Sequence, residues 1–209
     1  SLPEATIYVY DNASTDNTSK VATKAGALVF QEPNKGKGNV VRRMFADIEA
    51  NIYVIVDGDD TYEASKCPKM VQQLIENNLD MVVATRKAID NEEAYRWGHV
   101  FGNWMLTRSV SFIFSQGFSD MLSGYRVMSR RFVKSFPIMS QGFEIETEMT
   151  VHALQVGASY QEIETMYDSR PEGSESKLST FKDGFRILKM ILILFKEEKP
   201  FQFFGLFSL

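Results

Sequence analysis

A chain of 209 residues with 44% hydrophobic and 24% charged residues fits one soluble globular domain with a real core, and the length does not favour two. A formal net charge of −4 excludes the strongly basic surface on which general nucleic-acid binding depends, so no nucleic-acid partner is expected. The single cysteine, Cys67, forms no internal disulfide, and no secretory signal is recognised. Both point to a reducing, cytosolic setting.

In chain order, residues 6–10 read as a buried strand, followed by a polar turn and a helix near residues 18–25. Residues 27–30 read as a second strand. Residues 39–50 form a predicted helix, with Val40, Val41, Met44, Phe45 and Ile48 at helical spacing. A strand over 52–56, a helix over 68–76 and a strand over 80–84 follow. These strands lack polar alternation, which predicts burial on both faces, as in a parallel sheet covered by helices. The order β-α-β-α-β-α-β is that of a doubly wound α/β sheet, in which ligands sit beyond the carboxyl ends of the strands. The second half is less regular: a long helix over 97–114, a strand near 124–129, a helix over 144–154 and a strand near 160–165 are expected. A basic loop over 170–177 then leads to a final helix.

The C-terminus changes character. Residues 187–195 are apolar on nearly every side, and after a charged stretch comes an aromatic-rich segment, 201–209. No stretch reaches the ~18–20 apolar residues that span a bilayer. Two readings stand: a last helix packed on the core with a tail beyond it, or a membrane-facing amphipathic helix leading toward a transmembrane segment.

The chemistry gathers at the strand ends. Asp57-Gly58-Asp59-Asp60 follows the strand over 52–56. Residues two apart in an extended segment point the same way, so Asp57 and Asp59 can converge on one spot. Such a pair repels unless a cation sits between, and hard oxygen donors at a strand end suit Mg²⁺ or Mn²⁺. An acidic helix cap would explain the same residues. After the first strand come Asp11 and Asn12, where Asp11 can accept from a base or ribose, and Ser14 or Asp16 can cap the next helix. After the second comes Asn34-Lys35-Gly36-Lys37-Gly38, a flexible basic loop whose amides and lysines favour a diphosphate. It lacks the spacing of a P-loop.

Taken together, Asp11-Asn12-x-Ser-x-Asp-x-Thr, Gly36-Lys37-Gly38 and Asp57-Gly-Asp59 resemble the inverting family 2 glycosyltransferases, which have the GT-A fold. Within that family the chain is most similar to polyprenyl-phosphate sugar transferases of the dolichol-phosphate mannose synthase type. Asp120-Met-Leu-Ser123-Gly124-Tyr125-Arg126 resembles the family's acceptor-site motif. Arg170-Pro-Glu-Gly173-Ser-Glu-Ser176-Lys177 resembles its R-x-x-G-x-S-K loop, with one additional residue.

The resemblance implies an α/β, GT-A-like, Rossmann-like and mostly parallel sheet flanked by helices, lacking the family's first βα unit. It implies a catalytic domain over 1–178 and an amphipathic, juxtamembrane helix with an apolar tail over 179–209. The expected partners are a nucleotide-sugar donor, a lipid-phosphate acceptor and the cytoplasmic face of a membrane. In this reading Asp57 and Asp59 hold Mg²⁺ or Mn²⁺, and Asp11, Asn12 and Lys37 bind the nucleotide and its phosphates. Asp120 is the candidate general base, while Arg126, Arg170 and Lys177 grip the acceptor phosphate and Arg86 is a further phosphate ligand. Glu144, Glu146 and Glu148 are explained mostly as stabilisers of a helix start, with Glu144 able to reach the site. His99, His152, Trp97 and Trp104 read as structural. Within glycosyltransferases the alternative is an enzyme acting on a soluble or polysaccharide acceptor; a nucleotidyltransferase and a non-catalytic nucleotide-sugar-binding module are the alternatives from other classes. The acidic turn after the first strand argues against the former.

Overall fold

The computed structural model describes residues 2–88, 107–112, 114, 117–168, 185, 188–189, 191–193, 195–197 and 199–206. Strand β1 (Tyr8–Asp11), helix α1 (Thr18–Lys24) and strand β2 (Leu28–Gln31) come first. Helix α2 (Lys37–Asp47), strand β3 (Ile52–Ile55), helix α3 (Cys67–Glu76) and strand β4 (Met81–Ala88) continue the alternation. Strand β5 (Arg126–Ser129) runs directly into helix α4 (Arg130–Ser135), which is followed by helix α5 (Ile145–Gln155), strand β6 (Tyr160–Tyr167) and helix α6 (Pro200–Leu206). The long helix expected over 97–114 is described only at 107–112 and 114, which are helical.

Among the described residues the strands form two ladders. β1 and β2 pair in parallel, and a second sheet has the order β3-β5-β4-β6. In the second sheet β3, β4 and β6 point the same way, while β5 runs against both its neighbours. The architecture is α/β, with most strands parallel and helices on both faces. Reversal of β5 has a direct result for the site. Ile55 of β3 and Val83 of β4 both pair with Arg126, the first residue of β5. The residues just before β5 therefore lie at the same end of the sheet as those just after β3.

Side-chain alternation along β4 and β5 separates two cores. Met81, Val83 and Met128 pack with Val41 and Phe45 of α2, Phe132 and Val133 of α4, and Ile145 and Met149 of α5. Val82, Ala84 and Val127 face the other way, against Met70 and Leu74 of α3. In both α2 and α3 the inward residues stand four apart, one face of a helix. Full burial of each Met, Val or Phe here is worth roughly 1.5–3 kcal/mol, so this four-stranded sheet carries most of the stability.

β2 departs from the expectation of burial on both faces. Leu28 and Phe30 are 50% and 40% exposed, because among the described residues the two-stranded ladder has helix α1 beside it and no further strand. Towards the C-terminus, Ile191 is buried in the larger core and Phe195 packs against it, whereas Phe201, Phe204 and Leu206 are exposed. Among the described residues no helix is long and apolar enough to cross a membrane.

Candidate active site

The amino end of α2 carries a lysine into the sheet end. Asn39, in the first turn of α2, donates its side-chain amide to the Lys35 carbonyl, and Gly36 has a φ of 128°, which only glycine adopts readily. A Cβ on Gly36 or Gly38 would collide with the backbone of residues 140–141. Both glycines thus allow α2 to start against the loop that precedes α5, and Gly38 N–H donates to Gln141 O at 3.1 Å. Lys37 is set between two elements as a result. Its ammonium lies 2.5 Å from Asp57 Oδ1, after β3, and also pairs with Glu146 Oε1, in the first turn of α5. Burial opposes the charge on Lys37, but Glu146 and Asp57 more than offset it and hold the group well above the ordinary lysine range.

Gly124 closes this cluster from the β5 side. A Cβ there would overlap Asp57 Oδ2 and stand 2.9 Å from Lys37 Nζ. The backbone of Gly124 is held in turn by Tyr62, whose hydroxyl accepts from Gly124 N–H at 2.9 Å. Burial pushes the Tyr62 phenol up to about 12, so at neutral pH it is a neutral donor and acceptor. Asp59 accepts from Thr61 Oγ1 at 2.7 Å.

The loops after β1 and β2 are laced together. Asp11 is buried at 6% exposure and accepts from Ser14 N–H at 2.9 Å, from the Ser19 hydroxyl and from Gln31 Nε2 at 3.3 Å. The hydrogen bonds from Ser14 and Ser19 hold its carboxyl well below the usual range. Asn12 donates to Glu32 O and Asn34 O, both at 2.8 Å, and accepts from Gly36 N–H at 2.7 Å. In this structure both residues shape the loops after β1 and β2: Asn12 ties the β1 loop to the one that presents Lys37.

Arg86, expected as a phosphate ligand, and Asp120, expected as the general base, are partners. The guanidinium donates from Nε and Nη2 to the two carboxylate oxygens, each at 2.7 Å, and Arg86 N–H adds a bond at 3.2 Å. Asp120 thus has both carboxylate oxygens engaged by the Arg86 guanidinium. Arg126 requires a correction. It is 0% exposed on the α5-facing side of β5, and it donates to Ser123 O at 3.0 Å, Met121 O at 2.8 Å and Thr150 Oγ1 at 2.9 Å. Enclosed this way, with no exposed surface, it ties the 121–123 turn to α5. Arg170 and Lys177, like Trp97, His99 and Trp104, lie outside the described residues. His152 packs between Phe132 and Phe136, a structural place.

Sequence reasoning missed Glu146. At 4% exposure it reaches Lys37, and its Oε2 is buried with no hydrogen-bond partner. Glu144 turns back to the Gly142 N–H at 3.1 Å, and Glu148 accepts from Met139 and Ser140 N–H at 2.8 and 2.9 Å. Burial, not helix position, separates the three. As donors, Asp57 and Asp59 suit a hard divalent ion. Among the described residues no group of three or more His, Cys, Asp or Glu is gathered as a metal cage.

The sequence profile of glycosyl transferase family 2 matches residues 1–136. The chain belongs to this family. Glycosyltransferase AglJ of Haloferax volcanii is 37% identical over 202 residues, which cover 96% of this chain and 66% of AglJ. A dolichyl-phosphate hexose transferase of the same organism is 27% identical over 90% of this chain and 80% of its own. This family 2 chain also shares its fold with glucosyl-3-phosphoglycerate synthase of Mycobacterium tuberculosis. The TM-score is 0.68 at 18% identity, covering 88% of this chain and 67% of that one. That synthase has been solved with Mn²⁺, uridine diphosphate and glucosyl-3-phosphoglycerate. The chain thus spans about two thirds of AglJ and of the synthase.

Proposed function

We propose that the chain is the catalytic part of an inverting glycosyltransferase that moves a sugar from a nucleoside-diphosphate sugar to a polyprenyl phosphate. The observation that carries the reading is the convergence of Lys37, Asp57 and Glu146 at the carboxyl end of β3, one residue before Gly58-Asp59. This is where an α/β sheet receives a nucleotide. Asp57 and Asp59 would hold Mg²⁺ or Mn²⁺, which supplies charge neutralisation for the departing nucleoside diphosphate. Lys37 adds a fixed positive charge beside that diphosphate, and the loops tied by Asp11 and Asn12 shape the nucleotide side.

The acceptor side supports a phosphate nucleophile. A phosphate oxygen is already ionised at neutral pH, so attack on the anomeric carbon forms the new C–O bond without a base. The bond to the donor diphosphate breaks with inversion, and no proton moves. Asp120, engaged by Arg86, then serves to fix Arg86 beside the acceptor, and Arg170 and Lys177 would join it. Two features favour a lipid carrier: the dolichyl-phosphate relative aligned over 90% of this chain, and the exposed Phe201, Phe204 and Leu206 of α6. A second reading, a small soluble phosphorylated acceptor, rests on the fold shared with glucosyl-3-phosphoglycerate synthase.

The test is titration of UDP-glucose and GDP-mannose by calorimetry, with Mn²⁺ and then with EDTA, followed by transfer assays with polyprenyl phosphate and with 3-phosphoglycerate. Metal-dependent binding of one donor and transfer to the lipid alone supports the proposal. Transfer to 3-phosphoglycerate replaces the acceptor, and absence of metal-dependent binding overturns the donor site.

A further inference from the structure

Lys37 already occupies one of the carboxylates that a divalent ion needs. Its ammonium stands 2.5 Å from Asp57 Oδ1, in the space that the missing Cβ of Gly124 leaves open. An ammonium and a divalent ion cannot both neutralise one carboxylate at contact distance without strong mutual repulsion. Something must therefore receive Lys37 when an ion arrives. Glu146 has the means: Oε1 already contacts the ammonium, and Oε2 is buried with no hydrogen-bond partner. A buried carboxylate oxygen left unpaired is costly, and this one sits on the residue that already holds the ammonium.

Resting on the metal reading above, we infer that Lys37 is a resident cation that stands on Asp57 until a divalent ion binds, and that Glu146 is the positioning residue that takes it over. On arrival of the ion the ammonium releases Asp57 Oδ1 and gains Glu146 Oε2. One hydrogen bond replaces another and the lysine stays charged beside the donor phosphates. The handover accounts for both the doubled pairing of Lys37 and the vacant acceptor on Glu146. It also gives the site a neutralised acidic end before the ion and its nucleotide arrive, so that the half-buried Asp57 carboxylate is not left without a counter-charge.

The experiment follows the lysine itself. The chain is labelled with ¹⁵N-lysine, and the ammonium resonance of Lys37, slowed in exchange by its ion pairs, is assigned by its loss in Lys37→Arg and its shift in Glu146→Gln. Binding is followed separately by electron paramagnetic resonance with Mn²⁺ alone. With saturating Mg²⁺ the wild-type resonance shifts and persists, whereas in Glu146→Gln it is present without Mg²⁺ and broadened away with it. A wild-type resonance unmoved by saturating Mg²⁺ overturns the handover. So does a Glu146→Gln resonance as well protected in Mg²⁺ as the wild type. Failure of the wild type to bind Mn²⁺ is a different result: it overturns the metal reading on which the handover rests.

Discussion

Gly124 and Asp57 occupy adjoining space so closely that even one methyl group on residue 124 would overlap Asp57 Oδ2. The contact joins the turn before β5 to the acidic turn after β3. Gly124→Ala is therefore expected to push Asp57 out of line with Lys37, with a stability cost of about 1–3 kcal/mol from overpacking. Calorimetry should show metal-dependent donor binding weakened at least about tenfold, which is ~1.4 kcal/mol. Unchanged binding would mean that Asp57 has room the structure does not show.

Arg126 offers a test between two roles. If it holds the interior together, Arg126→Lys loses the fork that spans Ser123 O, Met121 O and Thr150 Oγ1 and lowers stability by about 2–4 kcal/mol in urea unfolding. A variant with the wild-type midpoint and a weakened affinity for polyprenyl phosphate would restore the acceptor-gripping role.

Breaking the Arg86–Asp120 pair should cost more than either residue alone suggests. Asp120→Asn leaves the guanidinium, already against the Tyr167 ring, without its anion. A double-mutant cycle with Arg86→Gln, read by thermal or urea unfolding, should give a coupling of at least about 1 kcal/mol. Additive effects would show that the two act apart.

Asp11 gives a pH signature. Its carboxyl is held below the ordinary value by Ser14 and Ser19, so its stabilisation is present above the ordinary carboxylate pKa of about 3.9 and is lost as pH falls through its own lower value. Asp11→Asn should therefore be less stable than wild type by about 1–3 kcal/mol at pH 7, a gap that narrows below pH ~4. A gap independent of pH would assign the effect to the lost geometry alone.

What could be read from the chain beforehand depended on how local its cause was. Helix α2 was legible because Val41 and Phe45 recur at helical spacing, and Asp57 and Asp59 because an acidic turn follows a short apolar strand. Reversal of β5 was not, since four residues carry no sign of direction. Nor was the fate of Arg126: the motif Ser123-Gly124-Tyr125-Arg126 suggested one site. Strand alternation instead sends residue 126 to the face of Met128, under α5, while Gly124 stays at the sheet end. Glu146 shares its pattern with Glu144 and Glu148, and only the tertiary approach of Lys37 distinguishes it. Burial of β2 was overestimated because an apolar strand is sealed only when other strands flank it.

The reversed strand also makes the active end of the sheet intolerant of sliding. Slippage of β5 by a single position against Ile55 and Val83 would displace Gly124 by ~3.3 Å along the sheet and turn the Arg126 side chain onto the opposite face. One shift would thus open the wedge on Asp57 and leave a guanidinium stranded among Met70 and Leu74. The strand's other end feeds straight into α4, where Ser129 Oγ accepts from Phe132 N–H as an N-cap. That cap works as a mechanical stop: it locks the register from the end remote from the chemistry. Variation that changes catalytic geometry could therefore enter from the Ser129 side, without altering any residue that meets the donor.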